Sequence, residues 1–288
     1  MSTGMKIGAV MFFTADSMQP AELGRALEER GFESLWVPEH THVPSTRSSE
    51  YPGGGPLPRP YYDIHDPFLA LNTAAVVTTK LKIGTGICLV VQRDPIVTAK
   101  LVSSIDQLSK GRFLFGVGNG WNRDEIENHG TAFATRNKLA RERIEAMQTI
   151  WTQDEPAYAG EFVRFGPMSQ WPKPCQKPYP PVIVGGAFPH AARRAIRYGN
   201  GWIPRADRLE QDGVGVVIEK FRNMAVEAGR DPASLPITIF RVPDDLAKLG
   251  FCQQAGVDRV VFSLPAASAD EILPIMDRWV QVKRELGL

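Results

Sequence analysis

The segment Pro38–Glu39–His40–Thr41–His42 sets a carboxyl group beside two imidazoles. Such a cluster can bind a metal, shuttle a proton or hold a coenzyme ring, and either imidazole can instead simply bond a neighbouring carbonyl. A catalytic zinc takes about three protein ligands. The other positions where such ligands could gather read Gly185–Gly186, Arg241 and Ser263–Leu264–Pro265, so no metal is expected. Imidazole exchanges protons readily near neutral pH, which makes His40 the candidate proton partner, with Glu39 beside it.

Three glycine-rich runs suggest what lies near that cluster. In Leu81–Val91 (LKIGTGICLVV), glycines interrupt an apolar run. Glycine weakens a strand unless the backbone bulges or something approaches it closely. In FGVGNGW, Gly116, Gly118 and Gly120 alternate. The pattern is a poor dinucleotide fingerprint, because the third glycine is displaced and Trp121 takes the close-packing place. It leaves one strand face bare, against which a flat ring or a polar chain could lie. In VIVGGAFPH, the amides of Gly186, Ala187 and Phe188 lead into a helix start, with Arg193 and Arg194 close behind. Aligned N–H groups at such a start favour a phosphate, although a tight turn would read the same way.

These residues all fall at the ends of predicted strands. Short apolar runs read as strands at Lys6–Phe13, Glu33–Val37, Leu81–Val91, Arg112–Val117, Val182–Val184, Gly201–Ile203, Ile237–Arg241 and Arg259–Ser263. Helical stretches follow them, including Pro20–Arg30, Asp66–Thr79, Asp94–Ser109, Arg136–Thr152, Pro189–Tyr198, Leu209–Ala228, Asp244–Ala255 and Ala269–Leu286. Asp66–Pro67 and Asp94–Pro95 are matched starts, an N-cap followed by proline in the first turn. Eight strand–helix units imply an α/β protein with a parallel sheet closed into a (β/α)8 TIM barrel, and an open doubly wound sheet is the competing architecture. A barrel of this kind takes about 250 residues, so one domain over residues 1–288 suffices. Two insertions break the rhythm. One is a lid over Thr41–His65; the other, Asp154–Pro181, carries a hairpin in Ala157–Phe165 and a proline-rich stretch.

Thirty-three basic residues nearly cancel 32 acidic ones, which argues against nucleic acid or an anionic membrane as partner. No run approaches the roughly 18 apolar residues of a membrane helix. The N-terminal MKIGAVMFF reads as a strand and not as a signal peptide. Cys88, Cys175 and Cys252 are odd in number and far apart, which suits a reducing cytoplasm. A His-x-His pair also opens the metal site of amidohydrolase barrels, but there it follows the first strand and here it follows the second.

Taken together, PEHTH, the IGTGI strand with Arg93–Asp94–Pro95 after it, GVGNGWNRDEIENHG and PPVIVGG resemble the luciferase-like superfamily. Within it the likeness is to actinobacterial oxidoreductases that use the deazaflavin coenzyme F420. The resemblance spans residues Lys6 to Arg205 and thins beyond. It implies a non-prolyl cis peptide at Gly86–Ile87 against the back of the ring, and places His40 and Glu39 near the ring. It further implies Asn119 and Gly120 along the ribityl chain, with Gly185, Gly186 and Ala187 taking the phosphate. The sugar-phosphate dehydrogenases of the superfamily carry a Trp and a Glu where this chain has Pro44 and Trp121, which argues against that reaction.

The expected activity is hydride transfer between F420 and a small organic substrate. Tyr51, Tyr61, Tyr62 and Trp121 would contact that substrate, and a separate reductase would supply reduced coenzyme. The alternative is an FMN-dependent monooxygenase using reduced flavin and oxygen. A third possibility is a barrel that has lost catalysis and acts as an accessory subunit. Relatives suggest a homodimer.

Overall fold

A computed structural model describes residues 4–209 and 213–288. The strands β1 (Lys6–Val10), β2 (Ser34–Val37), β3 (Lys82–Thr85), β4 (Phe113–Gly118), β5 (Val182–Gly185), β6 (Trp202–Ile203), β7 (Thr238–Phe240) and β8 (Arg259–Ser263) form one parallel sheet. Its order is β7-β8-β1-β2-β3-β4-β5-β6. Parallel bridges at Trp202–Ile237 and Arg205–Phe240 join β6 to β7 and close the ring. The strands are buried almost throughout, as helices on the outside and side chains on the inside require. The protein is therefore a (β/α)8 barrel and not an open sheet.

Helices α1 (Pro20–Glu29), α2 (Pro67–Ala75), α3 (Pro95–Leu108), α4 (Arg123–Asn128), α5 (Arg136–Thr152), α6 (His190–Tyr198), α7 (Val214–Glu227), α8 (Leu246–Gln254) and α9 (Ala269–Glu285) surround the sheet. The two Asp-Pro starts behave alike. Asp66 accepts hydrogen bonds from the amides of Phe68 and Leu69, and Asp94 from that of Val97. The helix expected over Leu209–Ala228 divides: a short turn covers Ala206–Leu209, and α7 begins only after Gly213, whose φ is +80°. Residues 210–212 of that expectation lie outside the described residues. The expected hairpin pairs Tyr158–Ala159 with Arg164–Phe165, and the long lid contains one helical turn at Pro60–Asp63. Helix α4 has no counterpart among the sequence-predicted helices.

Inside the barrel, Val10, Trp36, Leu114, Ile183, Ile203, Phe240 and Val261 form an apolar layer, against which Ile87 packs. This layer floors the C-terminal mouth. At the N-terminal end Arg259 forks onto Glu33, with Nε–Oε2 and Nη2–Oε1 distances of 2.6 and 2.7 Å. Burial raises the Glu33 pKa, but the Arg259 guanidinium and Lys82 outweigh it and hold the carboxyl down at about 2. A carboxyl depressed in the fold stabilises fully above its unfolded pKa, and that contribution fades as pH falls through the folded value. Glu33→Gln is thus expected to cost about 3 kcal/mol at neutral pH. Urea titrations from pH 7 to pH 2 should show the difference shrink below about pH 4.5; a constant gap between the two proteins would refute the account.

Candidate active site

Strand β3 does not run on to Val91. It stops at Thr85, the Gly86–Ile87 peptide is cis, and Cys88–Leu89 resumes pairing with β4. The neighbouring glycines explain how the chain accommodates this bulge. A Cβ on Gly116 would sit 2.0 Å from the Thr85 carbonyl, and one on Gly118 would sit 1.7 Å from Cδ1 of Ile87. A Cβ on Gly185 would meet Cγ2 of Ile87 at 2.9 Å. Sequence alone suggested that the bare glycine face would receive a flat ring or a polar chain. In the fold, Ile87 and the β3 carbonyl occupy that face, so the glycines of β4 and β5 seat the bulge.

The bulge is pinned from β2. Glu39 is buried; one carboxylate oxygen accepts the Leu89 amide at 2.6 Å and the other accepts Arg93 Nε at 2.5 Å. Arg93 also bonds Asp66, the cap of α2, at 2.7 Å. Both oxygens of Glu39 are therefore engaged in holding the chain beyond the bulge.

Above the floor lies a cavity of about 700 Å3, a size suited to a coenzyme with a small substrate. Of the sequence-predicted residues, Glu39, Gly86, Ile87, Asn119, Gly120, Trp121, Tyr61, Gly185, Gly186 and Ala187 line it. His40, Tyr51 and Tyr62 do not, although Tyr51 packs against the lining rings of Tyr61 and Trp121. Tyr61 and Tyr62 are consecutive in a helical turn, about 100° apart around its axis, so only one of them faces inward. Tyr62 is 53% exposed. His40 packs against two lining rings, with centroid distances of 4.9 Å to Tyr61 and 6.0 Å to Trp121. Its Nδ1 lies 2.8 Å from the buried carboxylate of Glu125 in the first turn of α4. Glu125 also accepts the Thr41 amide at 3.3 Å. The contact engages Nδ1, so Nε2 is the ring nitrogen left to exchange a proton. His42 joins a separate group, with the Thr41 hydroxyl 2.9 Å from its Nδ1 and 2.7 Å from Nε2 of His129. Among the described residues, no group of three His, Cys, Asp or Glu side chains could hold a metal ion.

At the β5 end the sequence reading needs a correction. The Gly186 amide is not free; it donates to the Ile203 carbonyl at 3.1 Å. Gly186 shapes the turn through its φ of +128°, with its backbone beside Arg194. The amides of Ala187 and Phe188 make no hydrogen bond within the described residues. Arg194 and Arg136 line the same end, and the buried Nε of each has no hydrogen-bond partner. Burial, with repulsion from Arg194 and Arg123, holds the Arg136 pKa below the usual arginine range. Two adjacent guanidiniums with unmet donors and, among the described residues, no carboxylate partner suit a phosphate. Arg205, Arg208 and Arg241 extend the basic lining. Asn119 donates to Asn137 at 2.6 Å, and both line the wall between.

Sequence reasoning missed Glu125, Arg136 and Asn137. Glu125 lies on α4, a helix the sequence did not signal, and the other two open α5, well past the end of β4.

The family model described as luciferase-like monooxygenase matches residues 13–243. An uncharacterised protein of Mycobacterium tuberculosis is 38% identical over 280 residues, covering 95% of this chain and 97% of that protein. The F420-dependent hydroxymycolic acid dehydrogenase of the same species is 26% identical over 218 residues, 73% of this chain and 54% of that protein. An FMNH(2)-dependent dimethylsulfone monooxygenase of Pseudomonas putida is 29% identical over 168 residues, 57% of this chain and 46% of that protein. Among solved structures, an F420-dependent secondary alcohol dehydrogenase in complex with an F420-acetone adduct superposes with a TM-score of 0.73 at 19% identity, covering 98% of this chain and 99% of that one. The bulged third strand, the cavity above it and the match over most of the sequence lead to one conclusion: the chain belongs to the luciferase-like monooxygenase family, whose members include F420-dependent and FMN-dependent enzymes.

Proposed function

We propose that this protein is an F420-dependent oxidoreductase moving a hydride between the deazaflavin and an organic substrate. The supporting observation is the run of arginines, Arg136, Arg194, Arg205 and Arg208, along the cavity from the β5 end. FMN ends at its phosphate, whereas F420 continues into a longer acidic tail that such a lining can follow. The resemblance to an F420-dependent dehydrogenase agrees with this reading. When bound, the coenzyme supplies the hydride chemistry, and the protein supplies position, proton handling and exclusion of water.

In this reading the Ala187 and Phe188 amides, Arg194 and Arg136 hold the phosphate at the turn that Gly186 shapes, and Asn119 and Gly120 line the path of the ribityl chain. Glu39 and Arg93 keep the bulge in shape and are positioning residues. His40, fixed by Glu125 behind the lining rings of Tyr61 and Trp121, exchanges the substrate proton at Nε2 through a bridging water. Tyr61 and Trp121, with the lid residue Pro52, close the cavity towards solvent. Calorimetric titration with F420 and with FMN decides between the coenzymes; tight FMN binding without F420 binding makes the protein an FMN enzyme. A separate reductase supplies reduced coenzyme. No helix among the described residues is long and apolar enough to cross a membrane, and all three cysteines are free, which supports a cytoplasmic setting.

The active form is a homodimer in this reading. Leu69 (71% exposed) and Val76 (66%) lie one above the other along α2 and its C-cap, and Val97 and Leu108 are similarly exposed on the neighbouring α3. A second copy would cover this apolar face. Light scattering should give twice the chain mass for the wild type and a single chain mass for Leu69→Asp with Val97→Asp. A monomeric wild type would rule this assembly out.

A further inference from the structure

We infer that the cavity recognises an organic carboxylate, bound by the Arg241 guanidinium and the Tyr61 hydroxyl, with its apolar body among Phe12, Phe240 and Leu264. This substrate class rests on the cavity being the hydride-transfer site proposed above.

Arg241 follows β7 directly and lines both the main cavity and an adjoining recess of about 200 Å3. Its φ is +60°, the left-handed backbone that non-glycine residues rarely adopt. Such conformations persist where the surroundings impose them, and they cluster at ligand sites. No carboxylate among the described residues forms an ion pair with Arg241; Asp207 feels its charge, but the fork from Arg205 occupies both oxygens of that carboxylate. The hydrogen-bonding neighbours of Arg241 are phenols. Arg241 Nη2 lies 3.5 Å from the Tyr61 hydroxyl, which lies 3.5 Å from that of Tyr51.

The other cations nearby have partners of their own. Arg205 forks onto Asp207 and Arg208 donates to the Pro52 carbonyl, each with N–H donors left for the coenzyme's tail, and Arg93 pairs with Glu39 and Asp66. Arg136 and Arg194 serve the β5 end. A guanidinium withdrawn from water without a carboxylate is an incomplete pair, and its planar fork matches a carboxylate. Burial and the Tyr51 hydroxyl push the Tyr61 pKa up to about 12, so Tyr61 keeps its proton and can donate to the second oxygen. A phosphomonoester carries up to two charges, and one guanidinium among neutral phenols meets only one of them. The recess walls are largely apolar, with Val10, Phe12, Phe240 and Leu264 contributing, so the group attached to the carboxylate is hydrocarbon.

The test compares phenylacetate with its neutral isostere phenylacetamide, each titrated calorimetrically into the purified full-length protein without coenzyme. The acid should bind at least about tenfold more tightly than the amide, as expected when a charge-assisted fork is lost. Arg241→Met should abolish the preference, and Arg241→Lys should keep part of it. In protein titrated with F420 or FMN, Arg241→Met should leave coenzyme affinity within about twofold of wild type, since the phosphate is held elsewhere. Equal binding of acid and amide, no binding of the acid, or unchanged acid binding by a folded Arg241→Met protein overturns the inference. So does a parallel loss of coenzyme affinity, which would make Arg241 a coenzyme residue. If neither coenzyme binds the wild type, the hydride-transfer reading fails while the discrimination between acid and amide still reports on Arg241.

Discussion

Replacing His40 by alanine should lower turnover by about 10²–10⁴-fold while coenzyme affinity stays within about threefold. The asymmetry follows from placement. His40 touches the cavity through Tyr61 and Trp121 and contributes nothing to the phosphate end, so its removal leaves the coenzyme's anchors intact. Its value lies in a held orientation. Glu125, buried beneath it, engages Nδ1 and so leaves Nε2 as the nitrogen able to exchange a proton. Glu125→Gln should therefore reproduce part of the His40→Ala defect without altering coenzyme binding, and should shift the pH–rate profile because the charge beside the imidazole is gone. Steady-state kinetics over pH 5–9, with calorimetry for the coenzyme, separate the two effects. Equal losses of turnover and coenzyme affinity in His40→Ala would show that the imidazole holds the ring and carries no proton.

The second large effect is expected at the β5 turn. Gly186→Val should weaken coenzyme binding by at least about a hundredfold, since a side chain there meets both backbone strain and a crowded neighbour. With φ at +128° a branched residue cannot keep the native backbone, and its Cβ would stand 3.1 Å from Cβ of Ala191 and 3.5 Å from Nη2 of Arg194. The turn must move, taking the Ala187 and Phe188 amides with it. Arg194→Gln provides the partner experiment, because it leaves the backbone alone. Loss of one charge-assisted contact should cost about 10–100-fold in affinity. Melting curves guard against a misfolded Gly186→Val. If a folded Arg194→Gln binds coenzyme as tightly as wild type, the phosphate lies somewhere other than the end of β5.

Much of the barrel is written locally. The run Arg259–Ser263 forms its strand with the boundaries its residues suggest, because the three consecutive β-branched or aromatic positions Val260, Val261 and Phe262, between turn residues, admit little else. Asp66–Pro67 and Asp94–Pro95 start helices because capping chemistry involves only the next three residues. The helix expected over Leu209–Ala228 misled for a similarly local reason: its periodicity continues through Gly213, but a glycine with positive φ separates the turn before it from α7.

The site is legible in part. Glu39, Tyr61, Trp121 and the glycine ends of β4 and β5 could be named in advance because a barrel of this class gathers the C-terminal ends of its strands around one mouth. Their roles could not. Glu39 reads as an acid for catalysis until Leu89 and Arg93 are seen to consume both its oxygens. Gly116 and Gly118 read as a bed for a ligand until Thr85 and Ile87 of the adjacent strand are found lying on them.

The amino-acid sequence by itself determined the succession of strands and helices, the positions of the glycines and the strand ends that carry chemistry, since each depends on residues a few positions apart. Only the tertiary structure decided which nitrogen of His40 is held by Glu125, 85 residues along the chain, and which buried arginine nitrogens have no hydrogen-bond partner among the described residues. The physical reason is range. Hydrogen-bond donors, charges and cavity walls act through space over a few ångströms, and the folded barrel alone fixes which distant residues come that close.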